Sequence, residues 1–182
     1  MTWNENTRLA AVALSALVLD QITKLVVTHN LPYGEERVII EGFFRFVHWG
    51  NTGAAWSLFR GNNHILSVVA VGALVVLFKM RRHFGAETKL GQVALGLMFG
   101  GIVGNIIDRF RIQHVVDFLY FYVHRRGGGE IGFPAFNVAD SAICVGVGLL
   151  FILSWQMDEA GKVISDGKKA AEQPDVPEPE SK

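Results

Sequence analysis

Disulfides are excluded at once: the 182 residues contain a single cysteine, Cys144. No bridge can form within the chain, and stability must rest on packing and hydrogen bonds. Cys144 lies inside an apolar run and reads as a small buried or lipid-facing residue. An excess of either charge is also missing, since 17 Lys and Arg balance 17 Asp and Glu. Charge therefore points to no nucleic-acid partner. The six histidines (His29, His48, His64, His83, His114 and His124) form no His-Glu-x-x-His pair or Cys/His metal spacing, so no metal or other cofactor is expected. Ser57, Ser67 and Ser141 lack a Gly-x-Ser-x-Gly context for a nucleophile. A cleavable leader is not indicated either. Arg8 and the apolar run after it are followed by Asp20-Gln21-Ile22-Thr23-Lys24 rather than by a small-residue cleavage pattern, which makes the segment an uncleaved span.

What the chain has in quantity is apolar length. Half of it is hydrophobic, and mean hydropathy is +0.29. A membrane span needs about 20 mostly apolar residues to cross about 30 Å of hydrocarbon. Four segments qualify, at residues 9–28, 65–78, 90–107 and 138–157; the second is short and borrows flanking residues. These define one membrane domain, residues 1–157. Residues 158–182 mix charge, alanine and three prolines and are expected to form a disordered cytoplasmic tail. Lys79, Arg81, Arg82 and Lys89 crowd the connection between spans two and three, with Arg8 and the tail lysines Lys162, Lys168 and Lys169 on the same side. The other side carries Arg37, Arg45, Arg60, Arg109, Arg111, Arg125 and Arg126, but less densely. The bias puts both termini in the cytoplasm.

Alternation of four spans then gathers the unusual polar residues at one face. Asp20 and Lys24 lie late in span one, Asn105, Asp108 and Arg109 close span three, and Asn137 and Asp140 open span four. Asn51 and Asp117 lie in the two outer connections. Each has a plain structural explanation. Asp20 and Lys24 are four apart and can pair on one helix face. Asn137 can cap a helix, with Asp140 answering its positive end. Asp108 and Arg109 can pair at the interface. None of these explains why so many collect on one side, given that an ionisable residue within a span costs about 2.5–3.5 kcal/mol on insertion scales.

Two carboxylates facing one cavity cannot both ionise cheaply, so such a pair shares a proton. It can draw a proton from water while donating one to a carbonyl oxygen, which is aspartyl-protease chemistry. Asp117 and Asp140 are placed for this, and the stretch with Arg125-Arg126-Gly127-Gly128-Gly129 and Pro134 between them either folds back as a hairpin over the site or is a flexible loop. The glycines Gly96, Gly100, Gly101 and Gly104 suit close helix packing within the membrane. A transporter or proton channel would need polar residues through the inner halves of the spans. A noncatalytic binding or assembly factor would tolerate Asp→Asn changes.

Five segments in order now carry a resemblance: Asp20-Gln21-Ile22-Thr23-Lys24; Asn51-Thr52-Gly53-Ala54-Ala55-Trp56-Ser57; Gly104-Asn105-Ile106-Ile107-Asp108-Arg109; His114-Val115-Val116-Asp117-Phe118; and Phe133-Pro134-Ala135-Phe136-Asn137-Val138-Ala139-Asp140-Ser141. The chain resembles the bacterial lipoprotein signal peptidases (signal peptidase II), with Trp56 where phenylalanine is more usual. The resemblance implies a mainly α membrane protein, a four-transmembrane-helix bundle with a small outer-side β cradle near residues 32–55 and a short interfacial helix near 56–63. Val38-Ile39-Ile40 and Phe43-Phe44-Arg45-Phe46-Val47 can supply strands of the cradle. It also implies a multi-pass protein of the bacterial inner membrane with its site at the outer face. The implied substrate is a prolipoprotein whose cysteine carries diacylglycerol, cut just before that cysteine; lipids are the other partner, with no nucleic acid and no required protein partner.

Carried over by residue, the catalytic pair is Asp117 and Asp140. Asn51, Arg109 and Gly53 would contact substrate, and Asp20, Lys24, Asn105, Asp108, Asn137 and Gly101 would support the site. The helix N-terminus favours charge on Asp140, which makes Asp117 the expected holder of the shared proton.

Overall fold

The computed structural model describes residues 4–53 and 62–172. Its elements are α1 (Glu5–Asn30), β1 (Glu36–Ile40), β2 (Phe44–Asn51), α2 (Asn63–Met80), α3 (Lys89–Ile112), β3 (Val115–His124), β4 (Glu130–Gly132) and α4 (Val138–Glu172). All four helices are long and apolar enough to cross a membrane. Every expected span is present and each is longer than its hydropathy core. α2, for example, takes in Asn63, His64, Lys79 and Met80, and so reaches a length of about 27 Å, close to the thickness of the hydrocarbon. Asn4 caps α1 by accepting from the Thr7 amide at 2.8 Å, and Thr88 caps α3 by accepting from the Gly91 amide at 2.9 Å.

α3 is the core of the bundle. In its most apolar window 56% of residues are buried, against 17–22% for the other three helices, which therefore present their Leu, Val and Phe side chains outward. Leu14, Val68 and Phe151 are each more than 60% exposed, as lipid contact requires. The glycines of α3 make this crowding possible. A Cβ at Gly96 or Gly100 would collide with the backbone carbonyls of Leu9 or Ala13 on α1, and one at Gly101 with that of Ala139 on α4. The small-residue run is thus a packing device on two sides.

The strands form one antiparallel sheet in the order β1-β2-β3-β4, at the end of the bundle where α1 finishes and α4 begins. β1 and β2 are the cradle hairpin expected near 32–55. β3 is the departure: the stretch around Asp117 reads as a connection lying against the membrane, but it is a central strand. Its β-branched and aromatic residues pair with β2, placing Trp49 opposite Asp117 and Asn51 opposite Val115. The left-handed Gln113, at φ 63°, turns the chain from α3 directly into this strand. The Arg125–Gly129 stretch is the turn of the β3–β4 hairpin. Gly128 and Gly129 adopt φ of 89° and 81° there, and the Arg125 amide donates to the Gly129 carbonyl.

Two further expectations concern the remaining segments. The interfacial helix near 56–63 lies mostly outside the described residues. α4 does not stop at Met157 but runs on to Glu172, into the stretch expected to be disordered. Ala, Glu and Lys are abundant there, and good helix formers extend a helix already nucleated within the membrane.

Candidate active site

The end of the bundle beneath the sheet holds a buried polar network. Lys24 is 3% exposed and uses all three of its ammonium hydrogens. They go to Asp20 Oδ2 at 2.9 Å, Asp108 Oδ2 at 2.8 Å and Asn105 Oδ1 at 3.0 Å. Each carboxylate reaches a further element. Asp20 Oδ1 accepts the Ala139 amide at 2.9 Å, in the first turn of α4, and Asp108 Oδ2 accepts the Val116 amide of β3 at 3.2 Å. Gln21 bridges both acids, donating to Asp20 Oδ2 and Asp108 Oδ1. A Cβ at Gly104 would fall on the Asp20 carboxylate. Buried charges survive when paired and hydrogen-bonded in this way.

The expected Asp20–Lys24 pair therefore exists, but within a larger hub that joins α1, α3, α4 and β3. The suggested Asp108–Arg109 ion pair is not seen among the described contacts; Asp108 turns inward to Lys24 instead.

Above this hub sit Asp117 and Asp140. Asn137 is fully buried and caps α4, with its Oδ1 accepting the Asp140 amide at 2.9 Å while Asp140 Oδ2 accepts the Asn137 amide at 3.3 Å. This reciprocal arrangement is a capping box with Asp in the third position. The same Asn137 donates through Nδ2 to Asp117 Oδ1 at 2.9 Å. Asn137 thus caps α4 and also reaches Asp117. Asn51 Nδ2 donates to the other Asp117 oxygen at 2.9 Å, and Asn105 Nδ2 donates to Asp140 Oδ1 at 2.8 Å. Three asparagines hold the two carboxyl groups in fixed orientations.

Asp117 is 3% exposed, and its carboxyl is pushed up to about 7 by burial first and then by the negative charge of Asp140, against the pull of the Asn51 and Asn137 amides. Near neutral pH it is therefore poised between its two protonation states.

Both aspartates line a cavity of about 920 Å³ together with Asn51, Gly53, Asn105 and Arg109. Its other walls come from Trp49 on β2, from Phe133, Pro134 and Ala135 after β4, and from Ser141 and Cys144 on α4. Cys144 is thus a cavity residue as well as an apolar one. Arg109 holds the carbonyls of Asn105 and Gly53 by long contacts of 3.4 Å, and its buried Nε has no partner among the described residues. Asn51 is more committed, since its Oδ1 also accepts the Gly53 amide at 2.9 Å. Gly101 lies deeper, at the α3–α4 contact, and not on the cavity wall.

Sequence reasoning gave no site role to Gln21 or Trp49, and Phe133, Pro134 and Ala135 entered it only as part of a resembling segment and of the stretch between the two aspartates. Gln21 was visible as the neighbour of Asp20, but the wall depends on the β3–β4 pairing. The polar network also has a floor. Between Gln92 and Asn105 the buried residues of α3 are Ala94, Leu95, Gly96, Gly100, Gly101 and Gly104, which leaves a polar route across the membrane without stepping stones along this helix.

The comparisons with known proteins agree with this picture. A family model described as Signal peptidase (SPase) II matches residues 12–156. Among curated relatives, a lipoprotein signal peptidase of Bacillus pumilus is 38% identical over 164 residues, covering 88% of this chain and 95% of that relative. Its counterpart in Bacillus subtilis is 37% identical over 163 residues, covering 89% and 97%. That of Symbiobacterium thermophilum is 42% identical over 141 residues, covering 78% and 90%. A solved bacterial membrane enzyme superposes with a TM-score of 0.69 at 30% identity, over 84% of this chain and 89% of that one.

Proposed function

The chain belongs to the signal peptidase II family, and from that premise we propose that it hydrolyses diacylglyceryl-modified prolipoproteins just before the lipidated cysteine, using Asp117 and Asp140 to activate water. The observation that carries this reading is one cavity in which both carboxyl groups are oriented by asparagines, with Asp117 able to hold a proton near neutral pH.

The chemistry follows from that pair. The ionised carboxylate takes a proton from water as the water oxygen attacks the carbonyl carbon before the cysteine. The protonated partner gives its hydrogen to the carbonyl oxygen, so the tetrahedral intermediate is neutral. On collapse the bond to nitrogen breaks and a proton passes to the departing amine. The signal peptide leaves with a new carboxyl group, and the lipidated cysteine keeps a free amino group. Asp117, whose proton is retained to about pH 7, is the starting donor, and Asp140 at the head of α4 is the starting base.

Arg109 would donate to a backbone carbonyl of the substrate, and Asn51 has one amide hydrogen left for another. These contacts matter because a helical signal peptide satisfies its own backbone and must unwind before it can be cut. The acyl chains stay in lipid, where burial contributes roughly 0.8 kcal/mol per methylene and favours the lipidated substrate. The site then faces the outer side of the inner membrane.

Purified protein and a synthetic signal peptide containing diacylglyceryl-cysteine test this directly. Asp117→Asn and Asp140→Asn should each lower hydrolysis by at least about 100-fold, in line with the loss of a positioned acid or base, and product mass should place the cut before the cysteine. Near-normal cleavage by either folded variant would falsify the catalytic assignment.

A further inference from the structure

We infer that Arg45, which lies outside the cavity, is a positioning residue that sets the cavity's outer wall and thereby selects the substrate side chain next to the cleaved bond; this rests on the function proposed above. Arg45 is an unusual residue for a small exposed sheet. It sits on β2, is only 9% exposed, and reaches all the other strands. Nη1 donates to Glu36 of β1 at 3.1 Å, and Nη2 pairs with Glu130 of β4. Its guanidinium lies over the rings of Tyr120 and Tyr122 on β3, at 4.8 and 4.3 Å from their centroids. A planar cation can stack and pair in this way at the same time, whereas a lysine cannot.

Tyr120 transmits the arrangement to the site on two sides. Its ring packs against Trp49, with centroids 5.0 Å apart, and Trp49 lines the cavity. It also covers Gly132, where a Cβ would fall on the ring itself. Gly132 leads directly into Phe133, Pro134 and Ala135 on the cavity wall. That wall is tied to the sheet at its far end, where the Phe136 carbonyl accepts the Phe118 and Leu119 amides. At its near end β4 offers only three residues of pairing. The Phe133 amide adds a bond to the Phe121 carbonyl, and the Arg45–Glu130 pair and the Tyr120 ring reinforce that hold. Loosening them frees Phe133–Ala135 and Trp49 without touching Asp117, Asp140 or the asparagines that orient them.

The test uses full-length protein in lipid nanodiscs and a series of synthetic diacylglyceryl-cysteine signal peptides differing only in the residue just before the cysteine. Arg45→Met should raise KM about fivefold or more on the preferred peptide and narrow the spread of KM across the series, with kcat within about twofold, the signature of lost binding rather than lost chemistry. Arg45→Lys should restore only part of the selectivity. Hydrogen exchange supplies a readout that needs no cleavage. The Phe133 amide, which donates to the Phe121 carbonyl, should exchange about tenfold faster in Arg45→Met while the helices stay protected.

Unchanged KM and spread in folded Arg45→Met overturn the inference, as does a fall in kcat at constant KM. Should Arg45→Met fail to fold, Glu130→Gln, which leaves the stack and the Glu36 pair in place, must shift KM and exchange in the same direction or the inference fails. A wild-type protein that cuts none of the peptides counts against the proposed function instead. Exchange at Phe133 then decides the Arg45 question alone, and no change there overturns it.

Discussion

Asp117 is the residue whose environment makes the sharpest demands. Its folded value near 7 lies far above the ordinary 3.8. Between those two values the folded chain keeps a proton that the unfolded chain has released. Stability from this group is therefore full at low pH and is lost as pH rises through 7. Compared with Asp117→Asn, the wild type should lose thermal stability between about pH 4 and pH 7, by at most about 1.4 kcal/mol per pH unit. Melting curves in detergent measure the difference, and a gap that stays constant with pH would contradict the buried, poised state. Hydrolysis should decline on the alkaline side with an apparent value near 7 that belongs to the pair.

Lys24 makes the complementary case. Removing its charge leaves Asp20 and Asp108 buried with no cation between them. Lys24→Met should therefore destabilise the fold by about 3–5 kcal/mol, read as a large fall in melting temperature whether or not substrate is present.

At the scale of elements, α3 tests the packing argument. Gly104→Ala would press on the Asp20 carboxylate and Gly101→Ala on the Ala139 carbonyl. Each should cost about 1–3 kcal/mol of stability, the usual range for overpacking, and Gly104→Ala should also lower kcat because it displaces the hub beneath the dyad. The same α3 shows how far the amino-acid order could be read. Hydropathy located all four spans, since each must satisfy its backbone within lipid as a helix. Parity of the spans then brought Asp20, Lys24, Asn105, Asp108, Asn137 and Asp140 to one end. Helix ends were less legible: α3 was expected to end at 107 and ends at Ile112.

The strand β3 was not legible as such, although Val115, Val116, Phe118 and Tyr120 have the right character. Its partner β2 lies on the other side of two spans, and local pattern carries no record of so distant a pairing. The Arg45 cluster, and the way β3–β4 pairing sets Phe133–Ala135 on the cavity wall, were hidden for the same reason. Gly132→Ala belongs at this scale too. By displacing Tyr120 it should reproduce the raised KM of Arg45→Met on the same peptide series.

For the molecule as a whole, the density of Lys and Arg between α2 and α3 sets the expected direction in the bilayer. A reporter active only outside the cytoplasm should work when fused at Arg126 and fail at Arg82; the opposite pattern would place the cavity on the inner side. One hydrogen bond within the hub also bears on how the molecule comes into being. Asp20 accepts the amide of Ala139, 119 positions further along the chain. During synthesis the first hydrophobic segment leaves the ribosome with that acid answered only by its own neighbours Lys24 and Gln21. The backbone amide that completes its partners arrives only with the final segment, which also brings Asp140. If Asp140 is half of the catalytic pair, as proposed, a prematurely terminated chain should be inert rather than weakly active, with proteolytic competence beginning only when the last helix has entered the bilayer and met the first.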